Sequence, residues 1–337
     1  MFRILCIDGG GMRGVIPAKV LALTEAELQR RGVSPRLADH FDLICGTSTG
    51  AIIAIGLGLG LPASQILGFY RNHAATIFPK RGMGRKLLRA ARKGSFYDCQ
   101  VLHRILTETY NEAAGGDTAR LKHCHTRICI PSYDLKNDRL HLFRNYVADS
   151  PDAYAPASDV ALASSSAPGL YTSHHFAFTT ADGQEVSYSH LIDGGITANC
   201  PALLAYTEAT RELGVPDTEL AILSLGTGSC AVGSELSAAI PGSYWLRHRH
   251  GGKTQSMLLT SYLLSAQAAY TDHLMEQLRQ GAPGAAQPRF VYEQVQHRST
   301  DDEVIPIDGA DPSSLATMER IGEQLFNACW LEKFFSK

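Results

Sequence analysis

One unit, used twice in the first sixty residues, constrains this chain more than anything else in it: a short β run, a glycine-containing turn, then a helix. Phe2-Arg3-Ile4-Leu5-Cys6-Ile7 meets a glycine turn at 8–14 and an amphipathic helix at about 16–31 that carries Val20, Leu21, Leu23 and Leu28. Phe41-Asp42-Leu43-Ile44-Cys45 meets a second such turn and an apolar run over 50–61, read as a buried helix. Strand, turn and helix repeated in this way are the pattern of an α/β fold with a parallel sheet. Further strands are expected over 126–132, 140–143, 191–192 and 220–225. Helices are expected over 98–111, 159–165, 201–212, 253–278 and 312–335. Two stretches break the rhythm. Residues 80–97 carry seven cations and no acid, and 281–288 form a turn-rich connection. With no internal repeat, the economical reading is one domain, an α/β core over 1–230 with a mainly helical part over 231–337 packed on it.

Composition enters as a set of exclusions. With 45% hydrophobic and 19% charged residues the chain can build a large core and is not of disordered type. A net charge of -2 supplies no global attraction to nucleic acid, so a nucleic-acid polymer is not an expected partner. The apolar run over 50–61 falls short of the ~20 residues that a spanning helix needs. The first strand begins at once, without the pattern of a secretory signal. Eight cysteines lack framework spacing, and Cys6, Cys45 and Cys129 sit in apolar runs, as free buried thiols do. A soluble, cytoplasmic protein is therefore expected.

Gly46-Thr47-Ser48-Thr49-Gly50 matches G-x-S-x-G between a β run and an apolar helix. Glycines two residues to either side let the serine sit in a sharp strand-to-helix turn, exposed beside a helix N-terminus that favours developing negative charge. The same residue types also make ordinary turns. Asp8-Gly9-Gly10-Gly11-Met12-Arg13-Gly14 follows the first strand. Its consecutive glycines let several N–H donors converge on one point, as an oxyanion hole requires, and Arg13 would fix the loop or add positive potential. Gly9, Gly11 and Gly14 also spell the dinucleotide fingerprint G-x-G-x-x-G. A nucleotide-binding regulatory module is thus the alternative reading, but the second strand ends in Cys45 with no acid for a ribose. A serine nucleophile needs a base. None of the 13 histidines follows an acid in hydrolase order, whereas Leu191-Ile192-Asp193-Gly194-Gly195 delivers a carboxylate into a glycine turn. Asp193 could take the serine proton directly if hydrogen-bonded to it, though Asp-Gly is also a common turn.

Taken together and in order, these three segments resemble the patatin-like phospholipases, whose pattern is D-G-G-G-x-R-G, then G-x-S-x-G, then D-G-[GA]. Weaker likenesses extend the match: residues 163–171 (Ala-Ser-Ser-Ser-Ala-Pro-Gly-Leu-Tyr), Ala198-Asn199-Cys200-Pro201, and residues 223–228 (Leu-Ser-Leu-Gly-Thr-Gly). The resemblance implies a three-layer α/β/α sandwich with a mostly parallel sheet. It also implies a Ser48–Asp193 dyad without histidine, an oxyanion loop of Gly9, Gly10, Gly11, Arg13 and Gly14, and a nucleophile turn of Gly46, Thr47, Thr49 and Gly50. Gly194 and Gly195 would shape the acid turn. The expected reaction is hydrolysis of glycerolipid acyl esters to free fatty acid, with no metal or organic cofactor. Some bacterial members of similar length act as antiphage effectors switched on by cyclic nucleotides. That overall plan makes a cyclic-nucleotide activator and a homo-oligomer expectations here.

Two other constellations stand out. His123-Cys124-His125 with Cys129, read as one β run, would point to opposite faces; His174-His175 and His248/His250 lack a carboxylate frame in the sequence. No metal site is expected. The basic segment, with Arg85, Lys86 and Arg89 at its centre, reads either as a solvated face or as a patch that docks on an anionic phospholipid membrane or contacts an activator. Peripheral attachment to the inner membrane face follows from the docking reading.

Overall fold

The computed structural model describes residues 1–80, 83–230, 247–250, 253–256, 258–281, 287–299, 305–327 and 333–335. β1 (Phe2–Ile7) leads through a 3-10 turn (Gly11–Gly14) into α1 (Val15–Arg30), and β2 (Leu43–Gly46) leads into α2 (Thr49–Gly58). Then come α3 (Ala63–Ile77), α4 (Met83–Lys93) and α5 (Cys99–Ala113), the hairpin of β3 (Arg127–Asp134) and β4 (Arg139–Arg144), and α6 (Ala157–Ser165). A second hairpin, β5 (His174–Thr179) and β6 (Glu185–Asp193), precedes the single turn α7 (Gly195–Ala198) and α8 (Ala202–Thr207), which runs on into a π turn (Glu208–Glu212). β7 (Leu220–Leu225), β8 (Ser229–Cys230), β9 (Arg247–His250), β10 (Lys253–Ser256), α9 (Leu258–Gln280), β11 (Val291–Val295), β12 (Arg298–Ser299) and α10 (Pro312–Leu325) complete the order.

The central sheet connects β11-β7-β1-β2-β3-β6-β5, with β4 also on β3. From β11 to β3 every pairing is parallel; β3 with β4, β3 with β6 and β5 with β6 are antiparallel. Alternation along the strands makes the two outer layers. Leu5, Ile7 and Ile44 face a cluster with α1, α2, α3, α5, α6 and α10, while Ile4, Cys6, Leu43 and Cys45 face α8 and α9. Each such fully buried aliphatic side chain contributes about 1.5–3 kcal/mol. The result is a three-layer α/β/α sandwich, as expected.

Several boundaries differ from the sequence reading. The helix expected from Lys253 begins at Leu258, because residues 253–256 pair with β9 as β10. The helix expected to run from Pro312 to Phe335 stops at Leu325, where Phe326 turns extended at ψ 124. The apolar helix expected to reach Leu61 ends at Gly58, and Gly60 takes φ 87 in the turn before α3. The C-terminal part also supplies a strand: β11 joins β7 with every residue only half-buried, so no alternation marks it in the sequence. Most of the connection at 281–288 lies outside the described residues. Among the described residues no helix is long and apolar enough to cross a membrane, and Cys6, Cys45, Cys99, Cys124, Cys129 and Cys200 are free.

Candidate active site

The register of β3 explains why two residues 145 positions apart meet. β4 pairs with β3 from Cys129 to Asp134 and so fills one edge. β2, paired at 127–129, and β6, paired at 132–134, must share the other edge. β2 runs parallel to β3 and β6 antiparallel, so their C-terminal ends approach each other head-on. The chain leaves β2 toward Ser48, and β6 ends in Asp193.

Ser48 stands at the junction of β2 and α2 with φ 56 and ψ -120, a backbone conformation that costs a non-glycine residue on the order of 1–3 kcal/mol. The surroundings hold it there. A Cβ on Gly50 would lie 2.1 Å from the Ile7 carbonyl oxygen, and one on Gly46 would lie 2.1 Å from the Gly50 carbonyl oxygen, so both flanking glycines are required by close backbone approach. The Ser48 N–H donates to Ser164 Oγ (3.0 Å), which itself donates to the Pro131 carbonyl (2.6 Å). Thr47 Oγ1 donates to the Ala198 carbonyl at 2.7 Å.

Ser48 Oγ donates to Asp193 Oδ2 at 2.7 Å, within the reach of direct proton transfer. The other carboxylate oxygen, Oδ1, accepts the Gly195 N–H at 2.7 Å, which fixes the plane of the group. Burial pushes the Asp193 carboxyl up to about 6, and the bonds from Ser48 and Gly195 offset only part of that rise. The carboxylate is thus a stronger base than an exposed one and still ionised at neutral pH. Both residues open on a cavity walled by apolar side chains, among them Ile52, Phe69, Ile77, Phe78, Leu170 and Leu264. Among the described residues no histidine lines it.

A family model described as patatin-like phospholipase matches residues 5–206, which span every segment of this junction. The chain belongs to the patatin-like phospholipase family. Patatin-like protein 2 of Arabidopsis thaliana is 35% identical over 276 residues, covering 74% of this chain and 66% of that protein. Patatin-T5 of Solanum tuberosum is 28% identical over 347 residues, covering 96% and 83%. Among solved structures, VipD from Legionella pneumophila aligns with a TM-score of 0.43 at 13% identity, covering 96% of this chain and 66% of that one. The chain spans 55–66% of the length of the plant patatin-like proteins with which it shares 33–36% identity.

The glycine loop of this patatin-like chain divides into two kinds of residue. Gly10 and Gly11 line the cavity with Ser48, and their N–H groups have no acceptor among the described residues. The N–H of Thr49, at the start of α2, is likewise without one. These are the donors available to an oxyanion. The sequence expectation is narrowed for the others. Gly9 N–H is taken by the Asn199 carbonyl (3.0 Å) and Arg13 N–H by the Gly10 carbonyl (3.2 Å). Gly14 packs against Thr49 and Tyr70, where a Cβ would come within 2.2 Å of Thr49 Oγ1. The buried Arg13 guanidinium reaches the carbonyls of Gly10 and Gly228 at 3.4 and 3.3 Å, so it pins the loop.

Three residues with no role assigned from sequence complete the frame. Ser164 lies in the 163–171 stretch, Asn199 in the Ala198–Pro201 stretch, and Thr227 in the 223–228 stretch. Ser164 holds the Ser48 N–H, Asn199 the Gly9 N–H, and Thr227 Oγ1 donates to the Gly9 carbonyl at 2.6 Å. The signal was present as the weaker family likenesses, each of which supplies one clamp.

Two features away from Ser48 and Asp193 differ from the sequence reading. Lys86 and Arg89 turn inward: Lys86 pairs with Asp308 at 2.7 Å and lies 4.9 Å over the Tyr97 ring, while Arg89 donates to the Tyr97 carbonyl at 3.1 Å and stands 3.7 Å from Asp98. The compensating acids lie beyond the segment's ends, where a count over 80–97 misses them. The side chain of Arg85 lies outside the described residues, and Arg92 and Lys93 are exposed. His123 closes a 3-10 turn (Leu121–His123) ahead of β3, so it shares no β run with Cys129. His174 does have a carboxylate frame, in Asp159 at 2.9 Å. The side chains of His248 and His250 lie outside the described residues.

Proposed function

We propose that this chain hydrolyses acyl esters of glycerolipids, with Ser48 as nucleophile and Asp193 as the sole proton carrier. The observation that carries the reading is the 2.7 Å bond between Ser48 Oγ and Asp193 Oδ2 at the head of an apolar cavity. In the first half-reaction Ser48 Oγ attacks the ester carbonyl and its proton passes to Asp193. The N–H groups of Gly10, Gly11 and Thr49 receive the oxyanion. Asp193 then returns the proton to the departing alcohol, leaving an acyl-serine. A water molecule, deprotonated by the same carboxylate, reverses these steps and releases the fatty acid. The apolar walls suit an acyl chain.

The lipid would be taken from a surface. Ile196, three residues past Asp193, and Leu263, beside the cavity residue Leu264, are 50% and 62% exposed and would supply apolar contacts to that surface. On α4 the exposed Leu88, Arg92 and Lys93 offer a basic, partly apolar contact for an anionic leaflet.

Fatty acid release from phospholipid vesicles, together with fluorophosphonate labelling, tests the proposal. Ser48→Ala should abolish both while leaving the fold intact; labelling that persists on another serine refutes the assignment. Charge reversal at Arg92 and Lys93 should weaken binding to anionic vesicles and leave a short soluble ester untouched. Each basic residue near such a surface contributes about 1 kcal/mol. Adding a panel of cyclic nucleotides to the same assay tests the activator expectation.

A further inference from the structure

Away from the dyad, three ligating side chains converge from three elements. His103 on α5, Asp159 on α6 and His174 on β5 bring two imidazole nitrogens and a carboxylate oxygen within 4.8 Å of one another. Both Nε2 atoms approach the same oxygen, Asp159 Oδ1, at 2.9 Å from His174 and 3.0 Å from His103. His174 makes a hydrogen bond there, whereas His103 Nε2, itself buried from solvent, has no hydrogen-bond partner. A carboxylate oxygen can accept from two imidazoles, but only His174 meets this one with hydrogen-bond geometry. The three side chains are a good ligand set. Ligands held ~2.0–2.2 Å from a tetrahedral ion stand a little over ~3 Å apart, and two histidines with one carboxylate favour a zinc-like divalent ion.

We infer that His103, Asp159 and His174 bind one divalent transition-metal ion of the zinc class. The His103 side chain is 28% exposed, the most of the three, although its Nε2 faces the carboxylate inside; a water would be the fourth ligand. The ion would not touch the dyad. It would tie together the wall of the cavity: Leu102 beside His103 lines it, as do Leu170 and Tyr171 just before β5, and α6 carries Ser164, which holds the Ser48 N–H. Its role is to staple α5, α6 and β5.

The test uses the full chain, stripped with chelator, dialysed, and reloaded with zinc or cobalt(II). Bound metal is read by mass spectrometry, ligand geometry by the visible d–d absorption of cobalt, and affinity by titration calorimetry. One equivalent of zinc and a tetrahedral cobalt spectrum are expected, together with a higher melting temperature when loaded. His103→Gln, at the most exposed ligand, should lose the cobalt bands and weaken zinc affinity by more than the roughly 10–100-fold that loss of a supporting residue costs. Asp159→Asn and His174→Gln should do the same, and Ser48→Ala should bind metal normally. A wild-type chain that retains no zinc and gives no cobalt bands overturns the inference and leaves a hydrogen-bonded cluster. So does binding that is unchanged in His103→Gln, since the ion then sits elsewhere.

Discussion

Replacing Asp193 by Asn tests the dyad by two independent readouts, because the same burial that makes the carboxylate basic also makes it costly. The variant keeps the shape, and its side-chain oxygen can still accept the Gly195 N–H, but it cannot take the Ser48 proton. Turnover should fall by ~100–10,000-fold, the usual span for general-base catalysis. Wild-type kcat/KM should decline as pH falls through about 6, where the base becomes protonated, and the residual activity of the variant should lack that limb.

The stability readout follows from linkage. The folded carboxyl keeps its proton up to about 6, whereas the unfolded one releases it near 3.8. Between those values the folded state binds more protons at this site, so the contribution of Asp193 to wild-type stability drops as pH rises from about 4 to about 6 and is level above that. At roughly 1.4 kcal/mol per pH unit the interval amounts to about 3 kcal/mol. Asn carries no such penalty. Urea denaturation should therefore find the two proteins nearly equal at about pH 4 and the variant up to about 3 kcal/mol more stable at pH 8. A variant that retains more than a tenth of wild-type turnover would remove Asp193 as the base. A stability difference that is the same at both pH values would refute the burial argument.

Two further substitutions probe the frame around the dyad. Ser164→Ala leaves the buried Ser48 N–H without its acceptor, a loss of about 1–3 kcal/mol in holding the strained serine. Fluorophosphonate labelling should slow by roughly 10–100-fold, and an unchanged labelling rate would show that the bond does not position the nucleophile. Gly50→Ala places a Cβ 2.1 Å from the Ile7 carbonyl oxygen and should lower stability by ~3 kcal/mol or more, read as a drop in melting temperature. Gly68→Ala is the control: its Cβ meets nothing within 4 Å on α3, so gain of helix propensity should stabilise by up to about 1 kcal/mol.

What could be read from the chain beforehand depended on range. Local features were legible because their causes are local. The alternating apolar runs around Ile4 and Ile44, the glycines flanking Ser48, and the carboxylate delivered by Leu191-Ile192-Asp193 each declare themselves within ten residues. The missed elements lack such a cause. β11 is half-buried throughout and shows no alternation, and β10 diverts residues 253–256 from a helix by pairing with β9. The partners of Lys86 and His174 were hidden for the same reason, since Asp308 and Asp159 lie in other segments. The dyad stands between these cases. Both of its residues were visible as turn residues, yet either could have been an ordinary turn. What makes them one site is a register: β4 occupies one edge of β3, so β2 and β6 must share the other and end facing each other. Neither strand encodes that meeting. It is a property of β3, whose residues 127–134 carry no reactive group in the dyad and yet set the distance between its members.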